Sequence, residues 1–128
     1  MSHFHAVVWM DHAEAKVFPF NADDFETRHI ASHGAGHLHH KAGAVGSGHA
    51  KADAKFLEDV AATLKHISEI LVIGPGSAKD EFMAFAQAKN PALAKKIMAV
   101  QAADHPSDRQ IVAQGRAFFK LADKMLPR

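Results

Sequence analysis

The chain contains no cysteine, which removes disulfide cross-links and thiolate chemistry from consideration. It also lacks any excess of one charge. Fifteen basic residues stand against fourteen acidic ones, so no global field draws in nucleic acid, and any RNA contact has to come from a local patch. No apolar run approaches the ~20 residues that a membrane span requires. Met1-Ser2-His3-Phe4-His5 places no basic region ahead of an apolar one, so neither a secretory signal nor a membrane partner is expected and a cytoplasmic location is the default. The G-x-x-x-x-G-K-[ST] phosphate loop and the G-x-S-x-G nucleophile elbow are both missing. Histidine, by contrast, is abundant, with 11 in the chain, five of them in one stretch. With 128 residues, 48% hydrophobic and 23% charged, the sequence fits one domain, 1–128, around a single core.

The most informative segment is Glu69-Ile70-Leu71-Val72-Ile73-Gly74-Pro75-Gly76-Ser77. Four consecutive apolar residues, three of them β-branched, predict a strand buried on both faces. Gly74-Pro75-Gly76 ends it, the glycines by admitting unusual backbone angles and the proline by withholding an N–H. Ser77 and Asp80 have the spacing of a capping box, which predicts a helix from about Ala78 to Lys89. Asp80 and Glu81 crowd its first turn with negative charge, so a structural turn is a better reading than a phosphate cradle.

Three shorter strands precede this unit. His5 to Met10 is apolar and buried in character. Asp11-His12 suits a turn, and Ala13 to Phe20 alternates, with Ala15 and Val17 on one face and Lys16 and Phe18 on the other. Phe25 to Ala31 is polar enough for an edge. Downstream of residue 50, Phe56, Val60, Leu64 and Ile67 recur at helical spacing. Asn90-Pro91 stops the second helix, Ile97 to Ala102 reads as a fifth strand, and Ser107 with Gln110 opens a last helix. Its apolar stripe is Ile111, Gly115, Phe118, Ala122 and Met125. Three antiparallel strands followed by helix, strand, helix, strand and helix predict a mixed five-stranded α/β sheet with about three helices.

Ser32 to His49 differs in kind. It holds five glycines and five histidines with only two sizeable apolar side chains, too little surface to fix one conformation, and is expected to be a mobile loop.

The element order is ribonuclease H-like, with an expected strand order of 3-2-1-4-5. The glycine-rich loop followed by L-V-I-G-P-G-S-A-K-D-E-F resembles the middle domain of the eukaryotic and archaeal class I peptide-chain release factors, which the rescue factor Pelota shares. Bacterial single-domain relatives, labelled translational machinery components, begin with W-x-D-H-x-x-A-x-V, and Trp9-Met10-Asp11-His12-Ala13-Glu14-Ala15-Lys16-Val17 is similar to that pattern. The D-H-P-S-D-R-Q-I-V run at 104–112 resembles the same group. The likeness covers about residues 5 to 120. It implies a translation-associated module contacting RNA or the ribosome. In release factors the loop carries Gly-Gly-Gln, which serves hydrolysis of peptidyl-tRNA. Here the loop contains no glutamine, so that activity is not implied.

His33, His37, His39 and His40 with Lys41 in the loop, and Lys51 just beyond it, admit three readings. They are solvated polar residues, a contact surface for phosphate, or ligands for zinc, copper or nickel. The residue types by themselves favour the solvated reading; the contact reading follows from the resemblance, because the loop stands where the release-factor domain projects its functional loop, and no cofactor is implied. An alternative places a metal-dependent nuclease or phosphoesterase on Asp11, Glu14 and Asp104, by analogy with two-metal sites. Its difficulty is that the fourth strand carries no carboxylate. Asp104-His105-Pro106-Ser107-Asp108-Arg109 contains the residue types of a hydrolase relay, but neighbours in sequence cannot form one, and a helix start accounts for them. A structural or interaction protein, including a homo-oligomer joined through a sheet edge or helices, is the third class.

Overall fold

The computed structural model describes residues 5–32 and 53–125. They form one five-stranded sheet in the order β3-β2-β1-β4-β5, as the sequence led us to expect. The strands are β1 (His5–Met10), β2 (Glu14–Phe20), β3 (Arg28–Ala31), β4 (Glu69–Gly74) and β5 (Ile97–Ala102). β2 runs antiparallel to both β1 and β3, whereas β1, β4 and β5 are mutually parallel. Four helices accompany them: α1 (Ala54–Ala62), α2 (Ala78–Lys89), α3 (Pro91–Lys96) and α4 (Asp108–Met125).

β4 sits between β1 and β5, and its alternate residues enter two cores. Ile70 and Val72 join Val8, Met10, Val17, Phe56, Val60 and Phe82 under α1 to α3. Leu71 and Ile73 join Val7, Trp9, Phe18, Ile111 and Phe119 under α4. The side chains of Ile70, Leu71, Val72 and Ile73 are all fully buried, which explains the unbroken apolar run. Ala15 and Val17 on one face and Phe18 on the other confirm the alternation read in β2.

Several local expectations are corrected. The Ser77 side chain makes no hydrogen bond to the backbone of α2, and the residue sits in a helical backbone conformation, so the capping box with Asp80 is not formed. Its hydroxyl instead donates to Glu81 Oε2 at 3.2 Å. The Ser107–Gln110 box does form, with Ser107 N–H donating to Gln110 Oε1 at 2.8 Å and Gln110 N–H to Ser107 Oγ at 3.2 Å. Asn90-Pro91 stops α2 and also starts α3, where the Asn90 side chain accepts from Leu93 N–H at 3.2 Å. That makes four helices among the described residues rather than about three. α1 ends at Ala62, so Leu64 and Ile67 are buried from the turn that follows rather than from the helix. β3 begins at Arg28, and Phe25 makes only an isolated bridge to Phe20. In α4, Phe119 is buried and Phe118 only partly so.

Gly115 explains how α4 lies so near β1. A Cβ there would meet Phe20 at 3.1 Å and Val7 Cβ at 3.2 Å. No helix among the described residues is long and apolar enough to cross a membrane.

Candidate functional site

Parallel pairing puts the carboxyl ends of β1, β4 and β5 at one edge of the sheet. β3, antiparallel to β2, ends there too, with Ala31 opposite Glu14. Ser32 N–H then donates to the Ala13 carbonyl at 2.9 Å. The histidine-rich segment therefore departs from this carboxyl edge. α1, which leads on to the amino end of β4, starts from Asp53, whose Oδ1 accepts from Lys55 N–H at 3.1 Å. His33, His37, His39, His40, Lys41 and Lys51 lie outside the described residues, as does the expected loop conformation.

The edge is braced by the residues of the two sequence strings quoted above. Asp11 Oδ1 accepts the N–H groups of Ala13 and Glu14, each at 2.9 Å, and shapes the β1–β2 turn. His12 Nε2 donates to Glu81 Oε2 at 3.1 Å, tying that turn to the start of α2. Trp9 Nε1 donates to the Asp104 carbonyl at 2.7 Å, and the His105 ring lies 5.0 Å from the indole. Lys16 Nζ lies 5.8 Å from the centre of the Trp9 ring and 3.6 Å from Asp108 Oδ1. The W-M-D-H and D-H-P-S-D strings thus pack against each other.

Gly74 has a related duty. A Cβ on it would lie 2.1 Å from the Met10 carbonyl oxygen, so glycine is required by the close approach of two strand ends. Neither Gly74 nor Gly76 has a left-handed φ, and the backbone-angle explanation offered by the sequence is replaced by this one. Lys79 Nζ donates to the Gly76 carbonyl, closing the turn.

The three carboxylates of the nuclease alternative all lie at this edge, at the ends of different strands. Asp11 and Glu14 share the β1–β2 turn, where Glu14 Oε1 accepts from His29 Nε2 at 2.6 Å. Asp104 follows β5, across β4 from them, and its side chain is 97% exposed. Among the described residues, no group of three or more histidine, aspartate or glutamate side chains could hold a metal ion. Ser107, a member of the hydrolase-like run, spends its Oγ on the α4 cap.

Two open grooves lie away from this edge. One of about 440 Å³ runs between α1 and α2, past Lys65, Phe85 and Lys89. Another of about 430 Å³ lies at the opposite edge of the sheet, among His5, Phe20, Arg116 and Phe119.

Comparison with solved structures places this architecture. Pelota from Thermoplasma acidophilum superposes with a TM-score of 0.62 at 20% identity, over 88% of this chain and 31% of that protein. The fold is that of a Pelota domain. Archaeoglobus fulgidus Pelota gives 0.61 at 17% identity, over 93% of this chain and 35% of its own. The archaeal translation termination factor aRF1 gives 0.60 at 13% identity, over 88% of this chain and 34% of that one. The chain thus spans about a third of the length of each of these three proteins. No protein-family model matches the sequence, and no curated protein matches it either. The Pelota-like and release-factor-like architecture implied by the element order and the short strings is present over most of the chain.

Proposed function

We propose that the chain is a non-catalytic, translation-associated module that contacts RNA or the ribosome through the carboxyl edge of its sheet. One observation carries the reading: a fold shared with Pelota and with a translation termination factor, in which β3, the strand that precedes residues 33–52 in sequence, ends at that edge. His33, His37, His39, His40, Lys41 and Lys51 are the contacting side chains. Their chemistry suits phosphate, because lysines and partly protonated imidazoles neutralise a nucleic-acid backbone without reading bases. No glutamine lies between residues 32 and 52, so the module binds without hydrolysing peptidyl-tRNA.

A titration of purified protein against purified ribosomes and ribosomal RNA tests this. Affinity falls steeply with added salt, as counterion release demands. It also falls as pH rises through about 6.5, where unperturbed imidazole loses its proton. Binding that ignores salt, and that survives replacement of all six side chains by alanine or serine, overturns the assignment of the contact to this segment.

A further inference from the structure

The two lateral edges of the sheet are built differently. β3 is short, four residues, and exposed. It carries Arg28, 2.6 Å from Glu26, and His29, 2.6 Å from Glu14. A short, charged strand of this kind resists further pairing. β5, at the other edge, runs for six residues, Ile-Met-Ala-Val-Gln-Ala, with no charge, glycine or proline. Met98 within it is 45% exposed, the one large exposed hydrophobic side chain among the described residues. A bulge near Met98 offsets the start of the strand, leaving Ala99 to Ala102 as the regular part.

The outward backbone groups follow from one hydrogen bond. Ala103 N–H donates to the Gly74 carbonyl at 2.9 Å, so residue 103 faces β4. Backbone groups alternate sides along a strand. Gln101 and Ala99 therefore also face β4, while Val100 and Ala102 turn their N–H and C=O groups away from the sheet.

We propose that β5 pairs antiparallel with β5 of a second copy of this chain, about a two-fold axis through Val100. An antiparallel edge is self-complementary under such an axis. Val100 of each copy then donates its N–H to the other and accepts in return, the closely spaced double bond of an antiparallel ladder. Residues opposite one another share a face of the sheet, and a two-fold perpendicular to the sheet keeps each face with its own. The pairing is therefore centred on a residue rather than between two. Centring on Val100 sets Ala99 against Gln101 and extends the face that carries α1 to α3, against which Val100 already packs.

Charge is complementary across that register. Lys95 and Lys96 precede the strand, and Asp104 follows it. The axis brings the first end of one copy to the second end of the other, twice over. Lys96 Nζ donates to the Lys65 carbonyl at 3.1 Å, whereas Lys95 is exposed and the Asp104 carboxylate is 97% exposed. The register sets position 104 of one copy opposite position 96 of the other, and the exposed Lys95 beside it is the cation that pairs with Asp104. A pairing of one short strand is a small interface, and the dimer belongs to the weak, concentration-dependent class.

Sedimentation equilibrium of the full chain, from micromolar to sub-millimolar concentration, gives the test. The mass rises from the 13.9 kDa monomer to twice that value. Val100→Pro removes an N–H that points away from β4, so the fold persists, and the dissociation constant rises about a hundred-fold. Lys95→Glu alone and Asp104→Lys alone each weaken the dimer. Mixing these two variants restores it, because both ends then carry opposite charges. A chain that stays monomeric throughout overturns the proposal, as does a dimer indifferent to Val100→Pro. If circular dichroism shows that Val100→Pro has unfolded, the charge pair decides. Failure of the mixture to recover then overturns the proposal.

Discussion

Gly74 and Met10 end neighbouring parallel strands so closely that a single methyl group at position 74 would stand 2.1 Å from the Met10 carbonyl oxygen. The obstacle is backbone at the end of a buried strand, which cannot swing aside as a flexible side chain could. Gly74→Ala should therefore lower stability by about 3 kcal/mol, the upper end of overpacking costs. Gly76 is two residues away, and a Cβ there meets nothing within 4 Å. Gly76→Ala is the control and should shift stability by less than about 0.5 kcal/mol. Urea unfolding of both variants measures the contrast; equal losses would refute the close-approach account.

The same edge is held from the other side by Trp9. Its indole N–H reaches the Asp104 carbonyl at 2.7 Å, while the side chain is only 2% exposed. Trp9→Phe keeps an aromatic ring but leaves that carbonyl without its donor. A loss of about 1–2 kcal/mol is expected. Hydrogen exchange should locate the loosening at the β5–α4 connection, around residues 103–107. An exchange pattern changed only in β1 would show that the bond does not brace the edge.

Much of this was legible from the residues, and the misses share a cause. β4 and α2 matched the sequence reading because burial on both faces and helical periodicity leave few alternatives. The two strings with a release-factor likeness were visible as words, but their mutual packing was not. Nothing in the order of residues says that Trp9 will meet Asp104 and His105 across β4. Short polar signals were the least dependable. Ser77 and Ser107 both had capping-box spacing, yet only Ser107 found its backbone partner, because Glu81 lies where it captures the Ser77 hydroxyl. Asn90-Pro91 read as a stop, but proline suits a first helical turn as well as it ends the previous helix. The candidate carboxylates take their surroundings from the fold rather than from the sequence. Once placed, Asp11 shapes a turn and Asp104 stands apart from it in solvent.

Removal of the segment between β3 and α1 tests binding apart from stability. Ordering glycine-rich backbone costs roughly 1–2 kcal/mol per residue, and the two cores already account for the burial in β1 to β5. Deleting residues 34–48 and closing the gap with a short glycine linker should leave the melting temperature nearly unchanged. Calorimetry checks this, and an unfolded deletion variant would show that the segment belongs to the fold.

The central claim is that this Pelota-like domain engages the translation apparatus through that segment. Sucrose-gradient profiles of cells carrying a tagged copy test it most directly, in growth and in starvation. The account predicts that the full chain sediments with ribosomal particles in at least one condition, and that the 34–48 deletion returns it to the soluble top fractions. A full chain confined to the top fractions in every condition would contradict it.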